Sequence, residues 1–349
     1  MEPNDFHFLD DKDLLYPSTE SKNSTESTKN GKQIKILSFD GGGARCIFSL
    51  KILEILFKRL YGSQGPSERS SVKQFINNFD LIAGTSGGSI IASLLCMERS
   101  IDEIRKIFYG LNSKIFDKSW SGYPSKLVSY YKSGDFYNSD LLLQILSNFF
   151  EDKNMSSVPH HLMIITTNCT SDLFEPYIFR SYKANSKLKG SNDELLRNCI
   201  RASTAAPTYF SPFIDKNKNK FVDGGLVANN PTNLAILESK ELFYSGTLNL
   251  ILSIGTGDMT PGKGSTTLKN LPGELLTLMT NSELIHHEVI EFLFDFSRDT
   301  NYFRFSPEGL GSVKLDTSDV VILKNGELET EKYMKKQENL ILKLLKLVK

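Results

Sequence analysis

Two short apolar runs, each ending in glycines and each followed by a helical apolar pattern, constrain this chain more than any other feature. Ile34-Lys35-Ile36-Leu37-Ser38-Phe39 reads as a buried strand that stops at Asp40 and three glycines. Residues 47–60 then carry Leu50, Leu53, Ile55, Leu56, Phe57 and Leu60 at helical spacing, and Gly62 is placed to end that helix. The second unit has the same plan, with Phe79 to Ala83 as strand, Gly84 to Gly88 as turn and Ser89 to Met97 as a mostly apolar helix. Strands joined through helices pair in parallel, and a parallel sheet must be covered on both faces. Further helices are predicted over 101–116, 139–150 and 192–203 and from Pro231 onward, with strands over 162–167, 177–182 and 248–254. This alternation, with no internal repeat, predicts a three-layer α/β/α fold around a mainly parallel central sheet.

The 349 residues suit one large domain of that kind, and 40% hydrophobic with 23% charged residues is a globular composition. Residues 18–32 hold no aliphatic or aromatic side chain and cannot offset their ordering entropy, so 1–32 reads as a flexible polar leader. The remainder, 33–349, reads as a single domain with its motifs in 34–258 and a less regular part in 259–349. The 41 basic and 41 acidic residues cancel, which leaves no global field to condense on nucleic acid. The start of the chain is acidic and lacks the apolar centre of a targeting leader, and the apolar stretch 90–97 is far short of the roughly 20 residues of a membrane span. Cys46, Cys96, Cys169 and Cys199 form no metal or disulfide spacing. The expectation is a cytoplasmic protein whose membrane contact, if it has any, is peripheral. The basic amphipathic end, 339–349, either packs on the domain or docks on lipid.

Three glycine-rich segments carry chemistry. Gly84-Thr85-Ser86-Gly87-Gly88 satisfies the nucleophile-elbow pattern in the context that pattern needs, a strand before and a helix after. Asp40-Gly41-Gly42-Gly43-Ala44-Arg45 exposes backbone N–H groups directly after a strand, suited to an oxyanion or a phosphate. A dinucleotide site is disfavoured there, because Cys46 stands at the third fingerprint glycine and Leu60 where an acid is needed. Asp223-Gly224-Gly225 ends a short apolar strand; alone it is an ordinary turn. Asp215-Lys216-Asn217-Lys218-Asn219 imitates half of a calcium loop, but Lys220 and Leu226 occupy its glycine and glutamate positions, so no metal site is expected. A serine hydrolase normally needs a base, and the histidines are His7, His160, His161, His286 and His287. Only the last pair follows Asp223, as a Ser-His-Asp esterase of the α/β-hydrolase type requires.

With these three motifs in this order, the sequence resembles the patatin-like phospholipase family. The likeness extends to 201–210 (RASTAAPTYF), to Asn229-Asn230-Pro231 and to Ser253-Ile254-Gly255-Thr256-Gly257, with a weaker echo in 301–305. The resemblance implies a patatin-like form of the predicted fold and a calcium-independent serine lipid acyl hydrolase of phospholipase A or lysophospholipase type, without cofactor. It implies a Ser86–Asp223 dyad, an oxyanion hole from Gly42 and Gly43 with Arg45 adding positive potential or bracing the loop, and a lipid ester as substrate. Asp40, Gly41, Gly84, Gly88, Gly224 and Gly225 complete the motifs. Cys46 departs from the glycine usual after the family's basic residue. A positive φ there would strain it by about 1–3 kcal/mol, and a catalytically silent lipid-binding or scaffold protein is the alternative that departure leaves open.

Overall fold

Alternate residues of the central strands are buried on opposite sides, as a sheet covered on both faces requires. The structure, a computed structural model, describes residues 31–116, 136–257 and 282–348. The predicted leader thus lies outside the described residues except for 31 and 32. Among the described residues nine strands form one sheet: β1 (Gln33–Phe39), β2 (Leu81–Thr85), β3 (Leu162–Asn168), β4 (Glu175–Arg180), β5 (Gly190–Ser191), β6 (Phe213–Ile214), β7 (Lys220–Asp223), β8 (Thr247–Ile254) and β9 (Asn301–Phe305). The order is β5-β4-β3-β2-β1-β8-β9, with β7 on β3 and β6 on β7. The run from β3 through β2, β1 and β8 to β9 is parallel. β4 and β7 pair antiparallel with β3.

Leu37, Phe39, Ile82, Leu162, Ile164, Leu250 and Leu252 feed the larger core, while Ile36, Leu81, Ala83, Met163, Ile165 and Ile251 feed the smaller one behind the sheet. Helices Cys46–Tyr61, Gly87–Cys96, Ile101–Phe116, Ser139–Phe150 and Leu196–Ser203 contribute to the larger core. Thr232–Leu242 and Glu283–Phe296 cover the other face. All ten residues of Gly87–Cys96 are buried, which fits its continuous apolar sequence and places its N-terminus at the centre of the fold.

Most predicted elements stand within two residues of the observed ones. The helix predicted over 192–203 begins only at Leu196, because Glu194 and Leu195 bridge to the segment around Asn154 instead. The helix Val320–Lys336 was not predicted; its buried positions include Gly326, Glu327 and Thr330, so hydrophobicity does not show its period. In the terminal helix Glu338–Leu345, Ile341 and Leu344 are buried, and Val348 just beyond it is buried as well. The apolar face considered for lipid docking is therefore spent on the larger core. Among the described residues, no helix is long and apolar enough to cross a membrane.

Candidate active site

β2 and β7 occupy the same edge of β3 and run toward each other. β2 pairs with Leu162 to Ile165 of β3, and β7 with Thr166 to Asn168, on the edge away from β4. Thr85 is opposite Ile165 and Asp223 opposite the next residue, Thr166, so the two strands end tip to tip. Ser86 follows Thr85 directly. Its Oγ donates to Asp223 Oδ2 at 2.7 Å.

Ser86 has φ 48° and ψ −125°, a region costly for a residue with a Cβ, by about 1–3 kcal/mol. The turn is held from several sides. Ser86 N donates to Ser203 Oγ at 2.8 Å, Ser203 Oγ donates to Ile165 O at 2.5 Å, and Ser89 Oγ donates to Ser86 O at 2.6 Å. Gly88 permits the sharp entry into the helix, since a Cβ there would stand 2.5 Å from the carbonyl oxygens of both Phe39 and Asp40. The helix N-terminus thus points its partial positive charge at the site.

Asp223 is 3% exposed. Its Oδ1 accepts from Gly225 N at 2.7 Å, which fixes the carboxylate plane and leaves Oδ2 for Ser86. Burial pushes its pKa up to about 6, more than the bonds from Gly225 N–H and the Ser86 hydroxyl pull it down. Gly224 N donates to Ser203 O at 3.2 Å, so Ser203 is tied to both sides of the pair.

The first glycine loop lies beside Ser86. Its Asp40, Gly41, Ala44 and Arg45 amides donate to Ile254 O, Asn229 O, Leu315 O and Gly42 O. Gly42 and Gly43, between them, line the cleft next to Ser86. Gly43 has φ +52°, and a Cβ there would meet Leu315 O at 2.4 Å, so this position requires glycine twice over. Asp40 is buried and paired with Arg304 of β9, Nη2 to Oδ2 at 2.8 Å; burial raises its pKa and Arg304 opposes that rise. Arg45 is also buried. Its guanidinium donates to Thr256 O at 3.1 Å and to Gly257 O, and it is not part of the cleft lining. These bonds tie the loop to the segment after β8.

Residues 37–236 match the family model described as patatin-like phospholipase. The chain belongs to the patatin-like phospholipase family. It is 30% identical over 336 residues to "Calcium-independent phospholipase A2-gamma" of Oryctolagus cuniculus, an alignment covering 91% of this chain and 40% of that protein. It is 31% identical over 219 residues to "cGAMP-activated phospholipase" of Escherichia coli, covering 62% of this chain and 58% of that one. Among solved structures, VipD from Legionella pneumophila aligns at 14% identity and TM-score 0.44, over 92% of this chain and 72% of VipD. The chain thus spans well under half the length of the rabbit relative.

In this patatin-like chain all three glycine-rich motifs reach one cleft. Gly84 is inside β2, paired with Phe39, and Gly41 sits under the Asn229 side chain, whose Nδ2 donates to Gly41 O at 3.3 Å. Thr256 Oγ1 donates to the same carbonyl at 3.0 Å. Ser203, Asn229, Thr256 and Arg304 were not singled out as site residues. Each belongs to a segment that carried the family likeness, and that was their only signal in the sequence.

Two alternatives raised by the sequence meet specific geometry. Cys46 has φ −57° and ψ −15°, ordinary helical values, so the strain considered there does not arise. Its buried sulfur lies against Gly87, and burial raises its thiol pKa far above normal, making it inert packing rather than a reactive group. No imidazole stands between Ser86 and Asp223, and among the described residues no histidine lines the cleft. His286 instead pairs through Nδ1 with the Tyr302 hydroxyl at 2.9 Å, and burial lowers its pKa to about 4. His161 Nδ1 meets Asp80 O, and His7 lies outside the described residues. The calcium-like stretch is a self-satisfied turn, with the Asp215 carboxylate accepting from Asn217 N and Asn219 N.

Proposed function

We propose that this chain is a calcium-independent serine lipid acyl hydrolase that cleaves fatty acyl esters of glycerophospholipids through a Ser86–Asp223 dyad. The observation that carries the reading is the direct 2.7 Å hydrogen bond from Ser86 Oγ to a buried carboxylate whose pKa is raised to about 6. An ordinary aspartate is too weak a base to assist a hydroxyl, and a raised pKa brings it closer to the working range while leaving it ionised at neutral pH. Ser86 Oγ attacks the ester carbonyl as Asp223 Oδ2 takes its proton. The carbonyl oxygen becomes an oxyanion, received by the amides of Gly42 and Gly43, each donor of this kind being worth about 3 kcal/mol. Collapse expels the lipid alcohol, which takes the proton from Asp223, and leaves an acyl ester on Ser86. Water then attacks that ester with Asp223 again as base, releasing the fatty acid and restoring the hydroxyl.

Apolar cleft walls support an acyl substrate, with Ile90, Phe108, Leu111, Phe116 and Leu142 beside the nucleophile. The calcium-independent and phospholipase parts of the proposal draw on the names of the relatives. The test is labelling with a fluorophosphonate, together with fatty-acid release from phospholipid vesicles with and without a calcium chelator. Labelling lost in Ser86→Ala, and release unaffected by chelator, is the expected outcome. A chain that neither labels nor releases fatty acid is not this enzyme.

A further inference from the structure

Asn112 stands in the cleft wall among side chains that offer it nothing. It belongs to the helix Ile101–Phe116, and the other residues that this helix contributes to the cleft are Phe108, Leu111, Ile115 and Phe116, all apolar. Asn112 is 3% exposed, and its Nδ2 is buried with no hydrogen-bond partner. A buried donor without a partner is destabilising, and a leucine of nearly the same shape would remove that cost. The carboxamide is thus unexplained by the fold but sits where a bound substrate would pass.

The reacting groups come from the ends of β1, β2 and β7, whereas Asn112 comes from a helix in the layer packed on the sheet. It is therefore not one of the strand-end groups that meet the ester carbonyl. A phosphate head group calls for cationic partners, and among the described residues no lysine or arginine lines the cleft. The apolar residues around Asn112 point instead to the acyl chain. A plain hydrocarbon chain would keep the carboxamide unpaired, while a chain carrying a hydroxyl or epoxide oxygen would pair it. We propose that this cleft selects oxygenated acyl chains, with the Asn112 carboxamide hydrogen-bonded to the chain oxygen. The inference rests on the reading of Ser86 and Asp223 as an ester-hydrolysing dyad.

The test compares kcat/KM of the full chain on phosphatidylcholines bearing octadecanoyl or a series of positional hydroxyoctadecanoyl chains in mixed micelles. At one hydroxyl position the wild-type protein is expected to favour the oxygenated chain by about tenfold, the size of one buried neutral hydrogen bond. Asn112→Leu is expected to abolish that ratio. The position series in the wild-type protein decides the matter even if the variant folds poorly. Equal or poorer rates for every hydroxy isomer, or a preference that survives in Asn112→Leu, overturns the proposal while leaving the dyad in place. No hydrolysis of any chain, with no labelling at Ser86, overturns the dyad and this inference together.

Discussion

Replacing Asp223 by asparagine should make the protein more resistant to unfolding as pH rises, and the size of that effect follows from the burial of the carboxylate. Its pKa is about 6 in the folded chain against a model value of 3.8. Because the folded value is the higher, the favourable contribution is fully present below about pH 3.8 and is lost as pH rises through about 6. Above that window the folded protein holds an ionised carboxylate that would be better solvated in the unfolded chain. Two units of difference at about 1.4 kcal/mol each give a cost of about 3 kcal/mol at neutral pH, of which roughly 2 kcal/mol develops between about pH 4.5 and pH 7.5. Asp223→Asn keeps the shape and removes the titration. It also weakens the pairing with Ser86 or Gly225, but that penalty does not depend on pH and cancels in the comparison. Urea unfolding of both proteins across this range, at matched slope, gives the stability of the variant minus that of the wild type. The difference should climb with pH by roughly 2 kcal/mol. A flat difference would mean that Asp223 titrates like an exposed carboxylate, and the argument for it as a direct base would fail; a falling one would require a cation beside it, and none of the described residues places one there.

Three further outcomes are expected. Since Asp223 must be ionised to accept the Ser86 proton, kcat/KM on a dispersed ester should fall on the acid side with an apparent pKa of about 6, measured by initial rates across pH; a midpoint near 4 would contradict the raised value. Gly43→Ala forces a Cβ against Leu315 O at a position of φ +52°; it should lower stability by about 1–3 kcal/mol and cut turnover by more than tenfold if the loop holds the oxyanion, as unfolding curves and kinetics would show. Cys46→Gly should not raise turnover, because Cys46 is already helical, and should cost about 1–2 kcal/mol because it removes a buried side chain and adds the freedom of glycine to the unfolded chain; a gain in kcat would mean the sulfur obstructs the site.

The layered architecture was legible because a parallel sheet writes itself as apolar runs separated by helical periods. β1, β2, β3 and β8 are such runs, and their alternate residues supply two cores. What escaped was structure whose burial is polar or whose pairing is short. Val320–Lys336 hides Glu327, which receives Arg105 at 2.6 Å, and Thr330, so its inner face does not look apolar. β5 has two residues and no periodicity to detect. The Arg304–Asp40 pair joins residues 264 positions apart, and nothing local in either segment announces the other. Asn112 is harder still, since an asparagine one place beyond the apolar Leu111 reads as the polar side of a helix until the cleft is seen.

Ser86 and Asp223 were legible as motifs, but their meeting depends on register. β7 fills the stretch of the β3 edge that β2 leaves unoccupied, so the contact of hydroxyl and carboxylate is set by where each strand stops, at Ile165 and Thr166. A slip of one residue in β7 would turn the Asp223 side chain to the other face of the sheet. Ser203 guards against that slip, because its oxygen bonds both Ser86 N and Ile165 O while its carbonyl takes Gly224 N. The same small region holds a strained serine, a buried carboxylate that is costly when ionised and an unpaired asparagine, each a local rule broken. Departures of this kind beside a nucleophile are what selection on reactivity instead of stability would leave.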